Sequence, residues 1–273
     1  MQFTQHDADI LDQFTRQAEP FAQRHGYGKD ALLVLMADCA AVTANDSVLD
    51  VACGPGIISC FFARRARHVT GLDFVPAMLD RARRYQQEQG VSNVTWQLGS
   101  STELPFPADH FDCVVTRFSF HHFLEPAAAL AEMRRATKPG GMVVVCDVVP
   151  RKEAQERFNH WEILRDPSHT RALTQAEFEA LGKITGLEVA RIELTQFERD
   201  LEDLLAGSFP KPGNADRIHG LFEADVTRGT DTLGVAARRE SGAPADRSSS
   251  AGWESGAVRI TYPVAVFAWR KPA

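Results

Sequence analysis

The chain has 273 residues, with 30 Lys and Arg against 36 Asp and Glu, a formal net charge of −6, and 44% hydrophobic residues. That balance fits a globular protein and argues against a dedicated nucleic-acid surface, while the longest apolar runs, such as residues 142–146, fall far short of the ~20 needed to cross a bilayer. Residues 1–9 have neither a basic start nor an apolar core, so no signal peptide and a cytoplasmic location are expected. Cys39, Cys53, Cys60, Cys113 and Cys146 lack C-x-x-C spacing and are expected as reduced core thiols, with no metal site.

In chain order, an apolar strand at 48–52 runs into the turn Cys53-Gly54-Pro55-Gly56, and residues 57–67 have the composition of a helix. A second strand at 69–73 ends in the carboxylate of Asp73, and Pro76 suits the first turn of a helix reaching about Gln89. Strands follow at 94–98, 111–116 and 142–149, with an Ala-rich helix over about 126–137 that Lys138-Pro139-Gly140-Gly141 stops. Strands alternating with helices predict a parallel, doubly wound α/β sheet. Farther on, Thr174 and Glu177 form a capping box for a helix to about Thr185, followed by a strand near 188–194. Residues 196–224 hold two helices, and 238–256, rich in Ser, Gly, Ala and Arg, read as a mobile surface loop. A final strand at 262–269 carries Pro263, which favours its beginning or a sheet edge. The arginines at 64, 65, 67, 81, 83 and 84 are expected on solvated helix faces.

A glycine turn between strand and helix lets backbone N–H groups approach a ligand, and a carboxylate closing the next strand, here Asp73, can accept both hydroxyls of a ribose. The dehydrogenase fingerprint requires glycine at position 59, where this chain has Ser59, which argues against a nicotinamide cofactor. Asp50-Val51-Ala52-Cys53-Gly54-Pro55-Gly56 resembles motif I of the class I S-adenosylmethionine-dependent methyltransferases, D-x-G-x-G-x-G, with Ala52 in place of the first glycine. Asp73 with Pro76-Ala77-Met78-Leu79, then Leu104-Pro105-Phe106-Pro107, Phe111-Asp112, His121-His122-Phe123 and Lys138-Pro139-Gly140-Gly141 follow in the family's order. The set is similar to the branch of ubiquinone and menaquinone biosynthesis C-methyltransferases, firmly over about residues 45–150.

The resemblance implies a Rossmann-like, mostly parallel seven-stranded sheet with an antiparallel last strand and a helical lid. It divides the chain into an N-terminal helical cap (1–44), a cofactor-binding core (45–195, with 151–172 as an acceptor-pocket segment), a lid insertion with a mobile loop (196–257) and the final core strand (258–273). The implied cofactor is S-adenosylmethionine, leaving S-adenosylhomocysteine as product. Asp50 with Ala52, Cys53, Gly54 and Gly56 of the turn would hold its methionine end, Asp73 its ribose, and Phe74 and Met78 would flank the adenine. Ser100 and Ser101 stand where an aspartate usually bonds the adenine amino group, and Arg117 lies at the end of strand four near the methionine moiety or an anionic substrate. Phe14, Ala18 and Phe21 match the branch's N-terminal aromatic helix, with Phe21 a candidate substrate contact.

The implied activity is methyl transfer to an O, N or C atom of a small organic molecule. The N-P-P-Y or D-P-P-Y signature of enzymes that act on a flipped base is replaced by Thr116-Arg117-Phe118-Ser119, so no nucleic-acid partner is expected. The alternative is a protein that binds the cofactor without transferring methyl, as a sensor or a rearrangement or decarboxylation catalyst. An acceptor that must lose a proton needs a base, and His122 or His121 is the candidate, against a packed histidine capping the loop after strand four. Adjacent histidines in a strand would face opposite ways. In the polar segment 161–171, Arg165 and Asp166 are expected to be structural and His169 an alternative base or substrate contact.

Overall fold

Alternating apolar residues decide the layers. The computed structural model describes residues 4–240 except 24–30, together with 257–273, and gives no side chains for 20–23. In β1 (Ser47–Val51), β4 (Phe111–Arg117) and β5 (Thr137–Val148), the residues Val48, Cys113, Val115, Val144 and Cys146 face one core, while Leu49, Val51, Val114, Val143 and Val145 face the other. A strand buried on both faces needs a helical layer on each. α2 (Ala31–Ala40), α3 (Ile57–Ala63) and α4 (Pro76–Gln89) cover the first face, and α5 (Pro126–Ala136) and α7 (Gln175–Ile184) the second. The capping box at the start of α7 is present, Thr174 and Glu177 each bonding the other's backbone N–H.

With β2 (His68–Asp73), β3 (Val94–Leu98), β6 (Glu188–Asp200) and β8 (Val258–Arg270), the sheet runs β3-β2-β1-β4-β5-β8-β6. The β1–β5 pairs are parallel and β8 is antiparallel to both neighbours. β7 (Ala236–Arg239) adds an eighth strand against β8. The order of strand addition reverses between the parallel neighbours β1 and β4, so their carboxyl ends open a crevice, the standard ligand position in such sheets.

Several elements depart from expectation. β6 and β8 are both 13 residues long and run past the end of β5, so 196–200 belong to the sheet instead of opening an insertion. Pro263 therefore sits inside a central strand. Its carbonyl accepts from the Val149 N–H, so its nitrogen faces the same side, just past the last β5 pair at Val148 and Val264, where no ladder donor is needed. On the projecting ribbon pack α6 (Gln155–Arg165), α8 (Leu201–Ala206) and α9 (Asn214–Arg228), around Phe158, Trp161, Ile218, Phe222 and Tyr262. Of the loop expected at 238–256, Arg238 and Arg239 belong instead to β7, and 241–256 lie outside the described residues. Arg81 is buried, not solvated, and pairs with Glu88 at 3.2 Å. All five cysteines are free and buried. Among the described residues, no helix is long and apolar enough to cross a membrane.

α1 (Gln5–Gln23) stands apart from these layers. Its Ala18 packs on Val75 and Met78 at the start of α4, while Ile10, Phe14 and Gln17 face a cavity at the carboxyl ends of the strands. α2, by contrast, is part of the core: Leu33 and Met36 are fully buried in it.

Candidate active site

The cavity encloses about 250 Å³. One end is built by the turn after β1, where the chain must fold back on itself to enter α3. The Cys53 N–H donates to the Leu72 carbonyl at 2.9 Å and the Gly54 N–H to Asp73 Oδ2 at 2.7 Å. Asp73 Oδ1 accepts from the Val75 N–H at 2.9 Å, so one carboxylate ties the first glycine turn to the start of α4. Burial pushes the Asp73 carboxyl up to about 6, although these backbone donors favour its charged form. Asp50 lies beneath the turn. Its Oδ2 accepts from the Ser59 hydroxyl at 2.6 Å, its Oδ1 is buried without a hydrogen-bond partner, and burial pushes its carboxyl up to about 7. Ser59, the residue that breaks the dehydrogenase fingerprint, thus serves to hold this acid.

Ala52, Cys53, Gly54, Asp73, Phe74, Met78, Ser101 and Arg117 line the cavity. Asp50, Gly56 and Ser100 do not. Gly56, at φ +81°, faces Trp96: a Cβ there would lie 2.5 Å from the indole, so its glycine is demanded by close packing behind the turn. The Ser100 hydroxyl is engaged with Thr102 at 3.0 Å. The Phe21 side chain lies outside the described residues.

Ala52 has φ +54°, a left-handed conformation that costs a residue with a Cβ roughly 1–2 kcal/mol. Ala52→Gly is expected to stabilise the fold by about 0.5–1 kcal/mol, because glycine's larger unfolded-state entropy offsets part of the relief. Urea unfolding checks this: an unchanged or lower midpoint would show that the Ala52 methyl makes compensating contacts.

At the other end, His121 and His122 do not lie on a strand. They form a single 3-10 turn with Phe120, which brings both imidazoles to the cavity, their ring centres 4.3 Å apart. The turn is pinned from several sides: Thr170 and Arg171 donate to the His121 carbonyl, and His6 on α1 donates to that of His122 at 2.8 Å. His121 Nδ1 donates to Asp147 Oδ1 at 2.6 Å. Asp147, 1% exposed, is fixed in turn by the Phe120 and Val148 N–H groups. Burial opposes charge on His121, but the Asp147 carboxylate outweighs it and the imidazole pKa is raised. His122 and His169 go the other way. Burial first, and then the neighbouring imidazoles, hold both below the ordinary histidine range.

Arg165 and Asp166 join a buried network at the cavity wall. Arg165 bonds Glu162 at 2.5 Å and the Ser208 hydroxyl at 2.7 Å, Gln17 of α1 donates to Asp166 at 3.3 Å, and Tyr262 donates to Glu162 at 2.9 Å. Sequence reading missed Asp147, Glu162 and Tyr262. Asp147 had a legible signal, a carboxylate ending an apolar strand just as Asp73 does, whereas Tyr262 meets Glu162 across 100 positions of sequence.

The first end of the cavity thus sets a strand-ending carboxylate beside a glycine turn and apolar side chains. Residues 48–141 match the model of the methyltransferase domain family. The chain is 33% identical over 170 residues to the uncharacterised methyltransferase YcgJ of Bacillus subtilis (strain 168), covering 62% of this chain and 67% of that one. The chain belongs to the class I S-adenosylmethionine-dependent methyltransferases. The methyltransferase is also 34% identical over 146 residues to the demethylmenaquinone methyltransferase of Tropheryma whipplei (strain Twist), covering 52% of its own length and 60% of that protein's. Its fold matches the crystal structure of the YcgJ protein from Bacillus subtilis with a TM-score of 0.76 at 24% identity, covering 88% and 98% of the two chains. S-adenosylmethionine is its methyl donor.

Proposed function

We propose that the methyltransferase acts on a small organic molecule whose reacting O–H, N–H or acidic C–H gives up its proton to His121. The observation that carries this reading is the buried His121–Asp147 pair opening into the same cavity as the cofactor turn. Asp73 would hold the ribose hydroxyls, the turn at Ala52 to Gly54, with Asp50 beneath it, the methionine end, and Phe74, Met78 and Ser101 the adenine. S-adenosylmethionine supplies an electrophilic methyl carbon on its sulfonium. The protein's part is to hold the two reactants together in a dry site, a contribution of about 7–11 kcal/mol. Ile10 and Phe14 of α1, with Phe118, Phe123 and Phe197, supply apolar walls. His121 takes the proton at Nε2 while its Nδ1–H stays on Asp147, so the imidazolium forms beside a carboxylate already in place. His122 is a weaker candidate because burial and the His121 charge both oppose its protonation. Scattered buried thiols favour work in the reducing cytoplasm.

Asp147→Asn tests the pair. Removing the carboxylate leaves burial to dominate, so the His121 pKa drops. The acid limb of the kcat profile should move to lower pH while the plateau falls. Glu162 also raises this pKa and Arg165 lowers it, and neither is changed by the substitution. An acid limb that stays in place would overturn His121 as the base.

A further inference from the structure

Three imidazoles converge at the acceptor end, with His169 centred 5.4 Å from His121 and 6.3 Å from His122. Hydrogen-bond partners assign the proton on each. His121 Nδ1–H is held by the Asp147 carboxylate, and His122 Nδ1–H points to the Ser168 carbonyl at 3.0 Å, a group that only accepts. His169 Nε2 lies 2.8 Å from Asn159 Oδ1, and that oxygen also accepts from the Ala172 N–H at 2.7 Å, so His169 must donate from Nε2. In the neutral rings, lone pairs remain on His121 Nε2, His122 Nε2 and His169 Nδ1. The last is buried and has no hydrogen-bond partner in a ring only 4% exposed.

The donors packed around these rings are already used. Arg165 is held by Glu162 and Ser208, the Tyr262 hydroxyl by Glu162, the Gln17 amide by Asp166 and the Ser168 hydroxyl by Asp166. Burial keeps His122 and His169 neutral, so neither becomes a donor to an anion. With His121 in the neutral form that a base requires, a carboxylate or phosphate placed against His122 and His169 would meet lone pairs, and a fully alkylated acceptor would leave buried nitrogens unsatisfied.

We infer that the methyl acceptor is a neutral molecule carrying at least two neighbouring O–H or N–H groups, one delivered to His121 and another shared between the His122 Nε2 and His169 Nδ1 lone pairs in a three-centre hydrogen bond. His122 and His169 are then specificity-determining residues. This rests on the reading of the cavity as the acceptor site with His121 as base. A site built around acceptors discriminates strongly against an analogue lacking the donor, because its own buried groups are left unpaired.

The test uses full-length protein with ring-15N histidine, saturated with S-adenosylhomocysteine, and three matched probes: benzene-1,2-diol, its dimethyl ether and benzoate. The diol should shift the His122 Nε2 and His169 Nδ1 resonances and bind at least about tenfold more tightly than either other probe. His169→Phe should erase that preference and His169→Gln, whose amide oxygen can accept, should restore part of it, with unchanged S-adenosylhomocysteine affinity certifying the fold of each. If a variant fails that check, the intact protein's probe ranking decides alone. No shift at either nitrogen with the diol at millimolar concentration, or equal or tighter binding of the ether or benzoate, overturns the inference. His121→Asn separates the two claims. Turnover that survives it, with the diol preference intact, removes the base but keeps the donor rule; a lost preference in otherwise intact protein, with turnover still abolished by His121→Asn, does the reverse.

Discussion

His121→Asn is expected to slow methyl transfer to a proton-losing acceptor by about 10²–10⁴-fold while leaving affinity for S-adenosylhomocysteine nearly unchanged. The substitution is chosen for what it keeps. An asparagine amide can still donate to Asp147, so the buried carboxylate is not orphaned and the turn at 120–122 keeps its anchor. What disappears is the second ring nitrogen, the one not engaged with Asp147. His122→Asn should have a much smaller effect on the chemical step, since His122 already gives its Nδ1 to the Ser168 carbonyl and is held neutral by burial. Release of S-adenosylhomocysteine at saturating cofactor measures both variants. Equal losses in the two would mean that the histidine turn acts as one packed unit and that neither ring is the base.

Asp73→Ala is expected to weaken cofactor binding by about 1.5–3 kcal/mol, or roughly 10–150-fold, through loss of a buried charged acceptor. The same change frees the Gly54 and Val75 N–H groups that shape the turn, so the true loss lies toward the upper end. The pH dependence has a definite sign. Asp73 must be ionised to accept two ribose hydroxyls, and its carboxyl titrates near about 6, so affinity should be level at alkaline pH and fall as the pH drops through that value. Asp50, near about 7 and facing Asp73 and Arg117, adds to the decline in the same direction. Folding stability runs the opposite way. A carboxyl raised on folding makes the native state bind more protons between its unfolded and folded pKa values, so the ligand-free protein gains stability on acidification from about 6 toward 3.8. Asp73→Ala should flatten both profiles, which calorimetric titration and urea unfolding across pH read separately.

What the sequence disclosed and what it hid follow from the range of the forces involved. α4 begins at Pro76 and ends at Gln89 as expected, because a proline at its first turn and a left-handed Gly90 after its last are local signals. β3 likewise spans Val94–Leu98 as expected. The Asp73 end of the cavity was readable because a strand, a turn and a carboxylate lie within one β-α-β unit. The histidine end was not. Whether His121 and His122 diverge or converge depends on a 3-10 turn held by Thr170, Arg171 and His6, which are distant in sequence. Pro263 misled for a related reason: only the β5–β8 register reveals that its missing N–H falls beyond the last ladder pair. Arg81 looked like its neighbours on α4, and its burial depends on contact with Glu19 of α1 as well as Glu88.

The central claim is that the cofactor turn and the His121–Asp147 pair serve one reaction from two ends of one cavity. A crystal structure of the complex with S-adenosylhomocysteine tests it directly. The account predicts ribose hydroxyls on Asp73, the amino acid moiety over the turn at Ala52 to Gly54, and the sulfur on the side of the cavity that His121 faces. A ribose held elsewhere, or a sulfur turned away from His121 with α1 between them, would contradict it.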